Sequence, residues 1–141
     1  MASEAATEND QLPKSAPESS TSIRASCHCG QVTIELPNPP ERLNECRCSI
    51  CYSYGALWAY YPRRDVLITA GETGSRYYVR KDDGCDGDIS FHWCNNCGCM
   101  THWWGEGDSE KRTGPNAKMG FNARMLPERD IEGVNRKVSY C

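Results

Sequence analysis

ISFHWCNNCGCMTHWW, residues 89–104, sets a short apolar run on either side of a knot of cysteines. ISFHW and MTHWW are rich in aromatic and β-branched side chains and read as two strands. Between them, Cys94-x-x-Cys97-x-Cys99 gathers three thiols within six residues. Gly98 directly follows Cys97, where a backbone that bends sharply around an ion needs a residue free of a Cβ. Strand, knuckle, strand is the unit on which the reading of the chain turns.

The pattern continues outward. Val32, Ile34 and Leu36 alternate with Thr33 and Glu35, which predicts a half-buried strand that the chain reaches just after Cys27 and Cys29. LWAYY (57–61), DVLITA (65–70), SRYYVR (75–80) and MGFNARML (119–126) are further strand candidates. Pro62 and Gly71-Glu72-Thr73-Gly74 break them apart, and KDDGCDGD (81–88) reads as a polar turn. SICYSYG (49–55) fits a turn or two of helix, and no other window predicts one. PERDIEGVNRKVSYC (127–141) reads as a loop with a short strand or a docked tail. The expectation is a mainly β, antiparallel single domain.

At 141 residues the chain is the size of one domain, and 38% hydrophobic residues leave it a thin core. Residues 1–22 are rich in Ser, Pro, Glu and Thr, and cannot bury enough surface to offset their ordering entropy. They are read as a disordered tail, with the domain over 23–141. The tail carries Lys14 against Glu4, Glu8, Asp10 and Glu18, which accounts for the whole net charge of −3. The balanced remainder argues against a nucleic-acid binder. No apolar run approaches the roughly 20 residues of a membrane span. The start has no basic, then apolar, leader, so a cytoplasmic protein is expected.

Ten cysteines decide the chemistry. Eight fall into Cys27-x-Cys29, Cys46-x-Cys48-x-x-Cys51 and Cys94-x-x-Cys97-x-Cys99, while Cys85 and Cys141 stand alone as free thiols. Neighbours one residue apart are poorly placed to bridge each other, and an unexported protein has little use for disulfides. Zinc takes thiolates in pairs from short knuckles, so metal is the better reading. Two cysteines of the first group with two of the last would close one site and staple the core. Cys46, Cys48 and Cys51 then offer three ligands and an open corner for water or a substrate thiolate. If Cys99 fills that corner, both sites are closed four-cysteine sites, and the chain is a non-catalytic, zinc-stapled protein-interaction module.

SCHCG (26–30), CRCSICYSYGALWAYY (46–61), ISFHWCNNCG (89–98) and FNARML (121–126) together resemble the glutathione-dependent formaldehyde-activating family, which includes the centromere protein V type of domain. The resemblance implies a β-tent fold of small antiparallel sheets. It implies two zinc ions, a structural one on Cys27, Cys29, Cys94 and Cys97 and a second on Cys46, Cys48 and Cys51 alone. The activity implied is a carbon–sulfur lyase or synthase, joining formaldehyde to glutathione as co-substrate. Arg47 stands where many members have His, and Cys99 where a small residue is common.

Zinc-bound thiols are deprotonated outright, whereas a free thiol with a pKa near 8.5 is mostly protonated at neutral pH. The expected partner is therefore a small-molecule thiol adduct, and a homodimer is compatible with the sequence. Glutathione carries two carboxylates, and Arg47, with Arg63 and Arg64 further on, is the candidate to clamp one. His28 reads as a solvated knuckle residue. His92 and His102 read as core histidines before they read as proton carriers. Tyr52, Tyr54, Trp58, Tyr60 and Tyr61 line a pocket or fill the core.

Overall fold

A computed structural model describes residues 22–81 and 88–140. The tail to residue 21, the polar turn at 82–87 with Cys85, and Cys141 lie outside the described residues. In chain order the strands begin with Ile23–Ser26 (β1), Thr33–Leu36 (β2) and Arg42–Cys46 (β3), and a short helix Ser49–Tyr54 (α1) follows. Trp58–Pro62 (β4), Leu67–Thr69 (β5), Ser75–Arg80 (β6), Ile89–Cys94 (β7) and Met100–Gly105 (β8) come next. Glu110–Thr113 (α2), Lys118–Asn122 (β9), Glu128–Ile131 (α3) and Asn135–Ser139 (β10) complete the series.

These strands make a mainly β fold of two sheets. The smaller has the order β1-β2-β5 and the larger β10-β3-β4-β9-β8-β7-β6. Every pairing is antiparallel except one: β10 runs parallel to β3, from Asn135↔Arg42 to Ser139↔Cys46. The expected mainly β, antiparallel architecture holds, with this one parallel pair at the sheet edge, where the chain returns through α3 and enters beside the start of β3. β1 was not foreseen. It precedes Cys27 and Cys29, which therefore occupy the turn of the β1–β2 hairpin instead of leading into the first strand. DVLITA contributes only three strand residues after a 3-10 turn at Arg63–Asp65, and MGFNARML bends into a second 3-10 turn at Ala123–Met125.

Alternation along the central strands divides the core in two. Leu57, Ala59, Tyr61 and Phe121 face the small sheet, where they meet Ala25, Val32, Ile34 and Leu36. Trp58, Phe91 and Trp103 face the other way, against Ile50 and Tyr54 of α1 and Cys46, Cys48 and Cys51. Burying each such aromatic or aliphatic side chain contributes about 1.5–3 kcal/mol. The large sheet is thus covered on both faces. One cover ends in the Cys27 turn and the other carries the second cysteine group. Among the described residues no helix is long and apolar enough to cross a membrane.

Candidate metal centres and active site

Two groups of thiols form, and each comes from a local backbone device. The β1–β2 turn presents Cys27 and Cys29, and the end of β7 with the turn after it presents Cys94 and Cys97. Both turns use glycine at positive φ, Gly30 at 88° and Gly98 at 79°, as the spacing predicted. A register shift between His92 and Trp93 redirects the last residues of β7 ahead of Cys94. The four sulfurs lie within 4.8 Å of one another, with Cys27–Cys29 and Cys29–Cys94 each at 3.7 Å. A tetrahedral zinc with Zn–S near 2.3 Å separates its sulfurs by about 3.8 Å, so the group fits that ion.

Backbone donors are also in place for thiolates. Val32 N–H donates to Cys27 Sγ at 3.2 Å, and Asn96 N–H donates to Cys94 Sγ at 3.3 Å. Burial pushes the Cys27 thiol up to about 11. The exposed Cys29 is carried down to about 6 by hydrogen bonds from the Asn96 side chain and the Gln31 backbone. Burial opposes the Cys97 thiolate, yet the N–H groups of Cys29 and Cys99 bring it below its ordinary value.

The second group is Cys46 at the end of β3, Cys48 at the cap of α1 and Cys51 inside it. Their sulfurs also lie within 4.8 Å of one another. Burial raises the Cys51 thiol, and Trp58 Nε1 opposes this by donating to its Sγ at 3.3 Å. Burial works against the Cys48 thiolate too, but the backbone N–H of Cys51 and the neighbouring Cys51 and Cys46 thiols carry it downward. The three thiols open onto a cavity of about 20 Å³ walled by Trp58, Tyr60, Phe91 and Trp103, with Arg80 at its side. Such a space holds one water-sized group.

No fourth His, Cys, Asp or Glu joins these three thiols among the described residues. Cys99 in particular stands outside both groups; its Sγ donates to the Met100 carbonyl at 3.7 Å and it packs against the small-sheet core. The fully closed, four-cysteine arrangement that Cys99 would complete is therefore not the geometry found.

The expected cations are placed elsewhere. Arg47 alternates with Cys46 and Cys48 and turns outward, where its Nε and Nη2 bond Glu45 Oε2 at 3.0 and 2.8 Å. Arg63 lies 4.0 Å over the Trp104 ring, and Arg64 reaches Asp65 at 3.6 Å. Arg80, which the sequence reading passed over, is the arginine on the cavity. Its register partner across the sheet is Ile89, itself a cavity residue, so strand alternation carried the signal.

His28 is exposed in the Cys27 turn. His92 and His102 stack on each other at 4.3 Å, bonded to Ser90 Oγ and Thr101 Oγ1 respectively, on the face away from Phe91 and Trp103. They are core histidines. The aromatic run divides by alternation: Tyr61 joins the small-sheet core and bonds the Asn38 carbonyl, Tyr54 meets Phe91, and Tyr52 is exposed.

No curated protein matches the chain. A crystal structure of a Rhodobacter sphaeroides protein superposes with a TM-score of 0.55, covering 82% of this chain and 100% of its own at 25% identity. Residues 22–126, which hold both thiol groups and nine of the ten described strands, match the model of the glutathione-dependent formaldehyde-activating enzyme, and the chain belongs to that family.

Proposed function

We propose that the protein is a zinc-dependent carbon–sulfur lyase or synthase acting on a glutathione adduct of a small electrophile, formaldehyde being the case the family is named for. The observation that carries this reading is the largely buried three-thiol group, which has no fourth protein ligand among the described residues and opens onto a space the size of one small group. Cys46, Cys48 and Cys51 would hold a zinc ion, which would supply thiolate chemistry to a substrate sulfur. The four-thiol group has the opposite character, a closed set that joins distant parts of the chain, and its role is structural.

The reaction forms one C–S bond as one C=O π bond opens, and the thiol proton ends on the former carbonyl oxygen. Trp58, Phe91 and Trp103 exclude water from the reacting atoms, so the aldehyde meets sulfur rather than hydroxide. The Trp58 indole N–H fixes Cys51 and spreads its charge. Tyr60 forms part of the wall, and its hydroxyl oxygen accepts from Asn44 Nδ2, which fixes the ring. Arg80 offsets the negative charge of the thiols. Positioning dominates, because three thiolates leave a bound zinc a weak Lewis acid.

Exchange between glutathione and S-hydroxymethylglutathione, followed by NMR saturation transfer, tests the reading. Wild-type protein should accelerate the exchange, and Cys48→Ala should return it to the uncatalysed rate with an unchanged circular dichroism spectrum. A Cys48→Ala protein that unfolds as readily as Cys27→Ala would make the second group structural and sink the proposal.

A further inference from the structure

The thiol cavity, at about 20 Å³, has room for one small group beside the three thiols. A fully extended tripeptide spans up to about 10 Å at roughly 3.4 Å per residue. Most of a glutathione adduct must therefore lie outside the cavity, and the surface beside it decides which thiols are accepted.

That surface holds a groove of about 390 Å³ that shares two walls, Ile89 and Trp103, with the thiol cavity. Lys111, Arg112 and Lys118 line it together with Ser109, and among the described residues no carboxylate does. Three cations around one groove run against the net charge of the chain, −3. Two acids of neighbouring segments are engaged elsewhere: Asp88 pairs with Lys81 at 3.4 Å, and the Glu110 carboxylate lies against Gly114. Arg112 is held in place by the Asp88 and Glu106 carbonyls, which its guanidinium bonds. Lys118 Nζ sits 4.7 Å over the ring of Tyr60, a wall of the thiol cavity, so the groove and the cavity meet at that residue. A second space beyond Tyr60 sets Arg42 beside Glu41 and offers an anion no net attraction.

We infer that the Lys111–Arg112–Lys118 groove is the carboxylate subsite of this protein, holding the charged end of a thiol peptide while its sulfur reaches past Trp103 to Cys46, Cys48 and Cys51. The inference rests on the thiol-adduct reading above. It favours thiol peptides with free carboxylates, and it makes thiols that lack a carboxylate poor ligands. Charge-assisted hydrogen bonds from preplaced lysine and arginine are the interaction that recognises such a ligand.

The test uses zinc-loaded, full-length protein and calorimetric titration with glutathione and with glutathione diethyl ester, which lacks both carboxylates. Lys111→Glu and Lys118→Glu are the variants, since Arg112 also braces the backbone; circular dichroism confirms their fold. Each variant should bind glutathione at least tenfold more weakly than wild type, while the diester, already weaker on wild type, changes less than twofold. Glutathione affinity unchanged in both variants overturns the groove and leaves the thiol-adduct reading standing. Failure of glutathione to bind wild-type protein overturns both.

Discussion

Cys29 and Cys94 are 65 residues apart in sequence, and their sulfurs are 3.7 Å apart in space. One lies in a hairpin turn of the small sheet and the other at the end of a strand of the large one, so the four-thiol group sits where the two sheets meet. On the loop-closure scale for cross-links, a link of that span restricts the unfolded chain by roughly 4 kcal/mol. The group at Cys46, Cys48 and Cys51 closes only a few residues, worth roughly 2 kcal/mol on the same scale.

A chelator titration should therefore separate the two groups. Turnover is lost first, with near-UV circular dichroism unchanged, and unfolding follows only when the four-thiol group is stripped. Cys94→Ala should unfold the protein outright at 37 °C, whereas Cys48→Ala should not. Activity and near-UV signal disappearing together would contradict this division.

Gly120 and Trp103 make a second test. The indole lies directly on the bare backbone of Gly120, and a Cβ there would fall inside the ring. Gly120→Ala must displace Trp103, at an overpacking cost of about 1–3 kcal/mol. Because Trp103 also walls the thiol cavity, turnover should fall with stability and the tryptophan emission should shift to the red. A melting temperature and emission spectrum equal to wild type would show that the indole is not held there.

Stability should fall as the solution is acidified from about pH 6.5 toward pH 4. Burial lowers His92 from 6.5 to about 4 and pushes His102 well below 6.5, so both stay neutral in the fold while the unfolded chain takes up protons. Where the unfolded state binds more protons, stability rises with pH. After burial, Arg63 disfavours a charge on either ring and His92 disfavours one on His102, while Glu106 works the other way on His92. Urea midpoints of wild type and His92→Gln at pH 7.5, 6.5 and 5.5 isolate the effect, since thiol protonation is common to both. Wild type should lose stability more steeply, by up to one proton's slope; parallel curves would refute the assignment.

Two arginines should behave oppositely. Arg47→Ala removes a side chain bonded to Glu45 on the outer face, and should change glutathione turnover less than twofold. Arg80→Ala removes a cation from the cavity itself, and should lower turnover at least tenfold. Steady-state rates of the two folded variants decide it, and the reverse order would move the anion-facing residue back to Arg47.

Most strands were legible because their signals are local: the alternation of Val32 to Leu36 and the aromatic runs around the Cys94 knuckle need no tertiary information. The thiol groups were legible for the same reason, since spacing alone marks a knuckle. IRAS escaped because its alternation runs over only four residues, and RLNEC because it shows none; each is a strand through its neighbour. NRKVS became the parallel strand β10 through pairing with β3, which nothing in its own composition announces. The cations depend on tertiary placement instead. Proximity in sequence favoured Arg47, but strand alternation throws it outward, while Arg80 arrives from a strand thirty residues on.

The long span between the two halves of the four-thiol group also orders events during synthesis. The Cys46, Cys48 and Cys51 group is complete once residue 51 has left the ribosome. Cys27 and Cys29 must wait for residues 94–97, some 3–13 s later at about 5–20 residues per second. In a chain that takes up zinc as it is made, the ion that a chelator removes first is the ion that arrives first, and the earliest pair of thiols waits longest with its partners untranslated.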